Sequence, residues 1–260
     1  MTYIKQKLKT IYPIFFLLTS LVLFQACVPK NLAIARIEGK QINVDSTFQL
    51  QPEVEAFVEP YRKSLEKEMD QVLAYAPNDL HNFRKEQETP LGNFIADMSY
   101  KRGNQIFNKR TGKTIDFALM NIGGIRAMIQ KGNVTVRNAY EIMPFENSLV
   151  VAELSYEKIQ ELLQFLADSG NPHPISHQLH VVFNGKNIES ALLNGAPFEP
   201  KKTYFVLTYD YLLNGGDNMS FFQNPVSSYV LDYKVRSAMI DELRELDTIS
   251  AKVDGRMIRK

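Results

Sequence analysis

The sequence predicts an α+β fold: a single domain in which helices pack on a mixed β-sheet. Three observations predict it. Stretches with apolar residues at three- and four-residue spacing interleave with short, dense apolar runs. Hydrophobic residues are 45% and charged residues 23% of a 260-residue chain, an ordinary globular balance with length enough for a buried core. From residue 51 to residue 260 no shift of composition divides the chain.

Residues 53–76 read as one helix, with Val54, Phe57, Val58, Tyr61, Leu65, Met69, Val72 and Leu73 on one face. Pro60 predicts a kink or a late start. Pro90-Leu-Gly-Asn93 reads as a turn before a helix over residues 94–102. Ile115–Met120 reads as a short buried strand, and residues 148–154 as another. Ser155 can cap the next helix, whose inner face carries Ile159, Leu162, Leu163 and Leu166. Residues 180–183 and 204–208 are further strands. Asp232 can cap a last helix bearing Val235, Met239, Leu243 and Leu246.

The first 26 residues read as an address. Lys5, Lys7 and Lys9 precede an apolar stretch from Ile11 to Phe24, which is short for a membrane span. Cys27, the single cysteine, stands just after it. The pattern resembles a bacterial lipoprotein signal, with Cys27 as the lipidated residue of a protein anchored to a membrane of the cell envelope. Residues 27–50 then read as a tether ending in a short strand at Gln41–Val44. One thiol excludes an internal disulfide and a cysteine-based zinc site. A net charge of +1 gives no footing for nucleic-acid binding through bulk charge.

Three segments carry candidate chemistry. Asn121-Ile-Gly-Gly-Ile-Arg126 ends a buried strand, where ligands commonly bind. Gly123 and Gly124 allow close backbone approach or positive φ, and Arg126 offers a planar donor fork. Met143-Pro-Phe-Glu-Asn147 presents Phe145 on a stiff loop as a stacking platform, with Asn147 as donor and acceptor. Asn214-Gly-Gly-Asp217 follows an apolar strand, and its Asp217 can accept two hydroxyl hydrogen bonds, as from a ribose diol. Alone, each of the two glycine segments also fits an ordinary turn, and Phe145 fits a core position equally well.

In this order and with these gaps, the three segments resemble the C-terminal domain of the 5′-nucleotidase family. The likeness extends over about residues 50–225. It implies that the nucleobase lies between the rings of Phe145 and Tyr211, and that Asp217, beside Gly216, binds the ribose. It implies ligand contacts for Asn121, Arg126 and Asn147. Tyr211 replaces the family's usual Phe, and Asn218 stands at a frequent glycine. The arginines that the family places before the Leu-Gly-Asn segment fall, by counting, at Lys85 and His81.

The family hydrolyses phosphate esters at a two-metal centre in a separate N-terminal domain. The paired Asp-x-His and Gly-Asn-His motifs of such a centre do not occur together here. His173, His177 and His180 read as loop and strand residues beside Pro172 and Pro174 rather than a zinc site. The expectation is a nucleoside- or nucleotide-binding half of a 5′-nucleotidase-type hydrolase, with no cofactor of its own and divalent metals only in a separate metallophosphoesterase partner chain. The alternative is a nucleotide-binding surface lipoprotein without chemistry.

Overall fold

Two four-stranded mixed sheets and a two-stranded ribbon carry the unit Glu53–Lys260. The computed structural model describes residues 51–260 throughout and, before them, residues 12–13, 15–20, 34, 36–45 and 48–49. Cys27 and the cut expected before it lie outside the described residues. Residues 36–45 are exposed and without regular structure. The short strand expected at Gln41–Val44 is therefore not formed: a strand is stabilised by a ladder to a neighbour, and Gln41–Val44 belong to no strand ladder. Among the described residues, no helix is long and apolar enough to cross a membrane.

The elements run α1 (Pro52–Met69), β1 (Val72–Ala76), α2 (Pro90–Thr111), β2 (Phe117–Ala118), β3 (Gly132–Thr135), α3 (Val136–Ile142), β4 (Ser148–Ser155), α4 (Tyr156–Ser169), β5 (Leu179–Asn184), β6 (Asn187–Leu193), β7 (Ala196–Pro197), β8 (Thr203–Tyr209), α5 (Asp210–Leu213), β9 (Ser227–Lys234), α6 (Val235–Glu245) and β10 (Met257–Arg259). One sheet has the order β2-β8-β4-β9 and the other β10-β5-β6-β7; β1 pairs with β3. β2 runs parallel to β8, and β4 is antiparallel to both β8 and β9. The β2 and β8 C-termini and the β4 N-terminus therefore lie at the same end of the first sheet.

The middle of that sheet follows from its sequence. Leu149, Val150, Val151 and Ala152 of β4 and Val206, Leu207 and Thr208 of β8 are fully buried, which is why both strands read as apolar runs. The Ser155 hydroxyl accepts from Lys158 N–H at 3.4 Å, and α4 buries Ile159, Leu162, Leu163 and Leu166. Helix α2 packs closely on β8: a Cβ at Gly103 would lie 2.9 Å from both Leu207 methyls.

Several expectations need correction. The helix expected to reach residue 76 ends at Met69, running through Pro60, and Val72 and Leu73 belong to β1. The apolar phase continued across the break because a buried strand residue and a helix-face residue look alike over a few positions. Nor is the apolar face of α1 covered: no residue of α1 is buried, and Phe57 is 71% exposed. Pro90-Leu-Gly-Asn93 is the first turn of α2 rather than a preceding turn. Thr89 is its N-cap, accepting from Gly92 N–H at 3.0 Å, and Pro90 takes the first position, where its missing N–H costs nothing. Asp232 does not cap α6. It sits at φ 52° where β9 bulges, the register against β4 jumping from Val150–Val230 to Ser148–Lys234.

Two buried arginines tie helices and termini together. Arg102 of α2 donates to Glu242 at 2.6 Å and Glu245 at 2.7 Å. Arg256, 2% exposed, donates to both Asp97 oxygens at 2.9 Å, to Asp254 at 2.8 and 2.6 Å, and to Ile175 O at 2.9 Å.

Candidate functional site

A cleft of about 720 Å³ opens at the shared end of β2, β8 and β4. Its walls grow directly from those strands. Asn121 follows β2, Asn147 immediately precedes β4, and Tyr209 ends β8. Asn121, Gly123, Gly124, Arg126, Phe145, Asn147, Tyr211 and Asp217 all line it. Of the residues singled out in the sequence for ligand contact, only Gly216 is not at its surface. It lies behind the Tyr211 ring, where a Cβ would come within 2.5 Å of the ring atoms.

The paired glycines act by close approach, not by positive φ. After Asn121 the chain makes one 3-10 turn, Ile122–Gly124, and neither glycine takes a left-handed conformation. A Cβ at Gly124 would meet Tyr209 OH at 2.7 Å and Asn121 Oδ1 at 2.8 Å; at Gly123 it would meet Asp217 Oδ2 at 3.1 Å. Left-handed backbone appears instead in the opposite loop, at Gly215 (φ 86°), Asp217 (φ 51°) and Asn218 (φ 62°). Asn tolerates that region better than most residues, which explains Asn218 where a glycine was expected.

Phe145 is 50% and Tyr211 47% exposed, so both rings are available to a ligand, not consumed by the core. Asp217 is held between two donors, Asn121 Nδ2 on Oδ2 and Tyr211 OH on Oδ1 at 2.9 Å. The floor is Tyr209, 1% exposed, whose burial pushes its hydroxyl pKa well above the ordinary value.

Two residues here were missed in the sequence. The first is Arg84, one position from the expected Lys85. Lys85 faces a different groove, and His81 stacks on Phe83 with ring centroids 4.5 Å apart. Asn82 Nδ2 donates to Ile125 O at 2.9 Å, which fastens this loop to the glycine turn and brings Arg84 to the cleft. Arg84 and Arg126 pair with no carboxylate among the described residues; Arg126 donates only to Gly123 O, at 3.4 Å.

The second is His173, 5% exposed, in the cleft wall with Ser169 and Asn171. Its Nδ1 accepts from Ile122 N–H at 3.4 Å, which places the ring hydrogen on Nε2. Burial, with Arg259 and Arg84 nearby, lowers its pKa from 6.5 to about 4 against the opposing pull of Asp217. Above pH 6.5 His173 is neutral in folded and unfolded chains alike. Between pH 6.5 and 4 the unfolded chain takes up a proton that the folded chain refuses, so stability falls as the pH drops. Urea denaturation of wild type and His173→Phe at pH 7.5 and pH 5 is expected to show the variant losing about 2 kcal/mol less over that interval.

Among the described residues, no group of three or more His, Cys, Asp or Glu side chains is placed to hold a metal ion. Asp79-Leu80-His81 has the Asp-x-His spacing, but Asp79 Oδ1 accepts from Lys131 N–H at 2.7 Å and the His81 ring is taken up by Phe83. His177 lies away from His173, in a second groove beside Asp97.

Two exposed rings, a carboxylate fixed between two donors and two guanidiniums with no acid partner among the described residues thus line one cleft. The model of the 5′-nucleotidase C-terminal domain matches residues 72–224, more than half of the chain, and the chain belongs to the 5′-nucleotidase family through that domain. It is 28% identical over 232 residues to the trifunctional nucleotide phosphoesterase YfkN of Bacillus subtilis, covering 82% of this chain and 16% of that protein. It is 31% identical over 145 residues to UshA of Escherichia coli, covering 53% of this chain and 26% of UshA. Among solved structures, the 5′-nucleotidase precursor of Thermus thermophilus superposes with a TM-score of 0.66 at 27% identity, covering 80% of this chain and 43% of that one. The chain thus spans less than half the length of each of these relatives.

Proposed function

We propose that this chain is the nucleoside- or nucleotide-binding half of a 5′-nucleotidase-type phosphoester hydrolase, working with a separate metallophosphoesterase chain in nucleotide breakdown. The observation that carries the reading is the gathering of Phe145, Tyr211, Asp217, Arg84 and Arg126 in one cleft. Phe145 and Tyr211 offer π-faces to a base. Asp217 accepts hydrogen bonds from a ribose diol, and the amides of Asn121 and Asn147 stand beside the sugar and base positions. Arg84 and Arg126 supply donor forks for phosphate oxygens. The metal-bearing half of the reaction belongs to the partner chain. Cys27 is read as the lipid attachment point that keeps the protein at a membrane of the cell envelope; Cys27→Ser is expected to move it from the membrane fraction to the soluble one.

Calorimetric titration of the purified protein with adenosine, AMP and UDP-glucose tests the binding role. Heat of binding for at least AMP is expected, and no binding of any of the three removes the reading. Hydrolysis of AMP that requires both this chain and a metallophosphoesterase supports the split enzyme. Binding without partner-dependent turnover makes the chain a nucleotide-binding lipoprotein instead. Arg84→Ala separates the phosphate contacts from the rest: AMP affinity is expected to fall about tenfold, and adenosine affinity much less.

A further inference from the structure

We propose that the Tyr211 hydroxyl sets sugar specificity: with Asn121 it fixes the Asp217 carboxylate in the one orientation that engages both hydroxyls of an intact ribose. This rests on reading the cleft as a nucleotide site and assigns Tyr211 a role beyond offering its ring face.

Asp217 stands exposed on a short turn, at positive φ and between Gly216 and Asn218. A carboxylate so placed would ordinarily rotate freely in water. Here each oxygen has its own donor, and the two donors come from different elements. Oδ2 takes the Asn121 amide from the glycine turn, and Oδ1 takes the Tyr211 hydroxyl at 2.9 Å. The same phenol oxygen accepts from Asp217 N–H at 3.3 Å, so hydroxyl, carboxylate and backbone close a ring. Tyr211 is itself positioned by its contact with Gly216, a contact that any larger residue there would prevent.

Each carboxylate oxygen can accept a second hydrogen bond, and the two remaining acceptor positions suit the two hydroxyls of a vicinal diol. A diol gains both bonds only if the carboxylate plane is already set. A deoxyribose makes one bond whatever the plane. The phenol hydroxyl therefore acts on the preference for ribose more than on affinity as such, by preorganising the acceptor. Phenylalanine at residue 211 would keep the stacking face and lose the hydroxyl donor.

The test is calorimetric titration of the full chain, wild type and Tyr211→Phe, with adenosine, 2′-deoxyadenosine and 3′-deoxyadenosine. The wild type is expected to favour adenosine over either analogue by about tenfold. In Tyr211→Phe adenosine affinity is expected to fall by about tenfold and that of the analogues by about threefold at most, so the preference collapses. A variant that keeps the wild-type preference, or that weakens all three ligands equally, overturns the proposal. So does a wild type that binds all three alike. A wild type that binds none of them removes the nucleotide reading of the cleft and this inference with it.

Discussion

Arg256→Met is expected to lower the free energy of unfolding by about 3–5 kcal/mol, measured by urea denaturation at pH 7. The guanidinium is almost wholly buried and serves Asp97, Asp254 and Ile175 O at once, with Glu88 also close by. Removing it leaves Glu88, 7% exposed, the half-buried Asp97 and the more exposed Asp254 without their common cation. Arg256→Lys is expected to recover only part of the loss, because one ammonium cannot reproduce a planar fork shared among several acceptors. The effect reaches the cleft. Arg256 holds Ile175 O, Ser176 N–H donates to Ala118 O, and His173 receives Ile122 N–H, so one buried cation helps to register the His173 wall against the glycine turn. A variant with wild-type stability would mean that water replaces the cation at little cost.

Phe145→Ala is expected to weaken adenosine binding by about 1–3 kcal/mol through lost stacking. Asp217→Ala is expected to weaken it by about 1.5–3 kcal/mol through the loss of charge-assisted hydrogen bonds to the sugar. Both side chains are exposed, so neither truncation opens a cavity, and the thermal midpoint of each variant should stay close to that of the wild type. Calorimetry of the two single variants and the double variant measures how far the contributions are independent. Unchanged affinity in both single variants would take the ligand out of this cleft.

Much of the cleft was legible because its parts sit at strand ends that the sequence marks sharply. The β4 and β8 strands read as apolar runs because both are buried in the middle of a sheet. Helix α4 reads well because its cap and its 3.6-residue stripe agree. Phe145, Asn121 and Asp217 lie on loops fixed by these elements, so their convergence follows from the topology. Arg84 escaped by one residue because residues 77–89 have no periodicity to set a register, and what brings Arg84 inward is an amide bond from Asn82 to a backbone 43 residues away. His173 escaped because its partner is 51 residues distant and nothing local distinguishes a histidine between two prolines from a surface turn. Strands β6 and β9 are half exposed, with mixed polar and apolar residues, so neither produces a clean run.

Helix α1 has a consequence for the timescales on which the protein opens. Most of a helix's stability in a protein comes from tertiary packing, and α1 has no buried residue to supply it and an internal proline that removes a backbone hydrogen bond. Its amide hydrogens are expected to exchange with deuterium early, while those of α2, β4 and β8, whose side chains make up much of the interior, exchange only with global unfolding. Slowed exchange along Val54, Phe57, Tyr61 and Leu65 in the presence of another chain would then map where that chain touches, residue by residue.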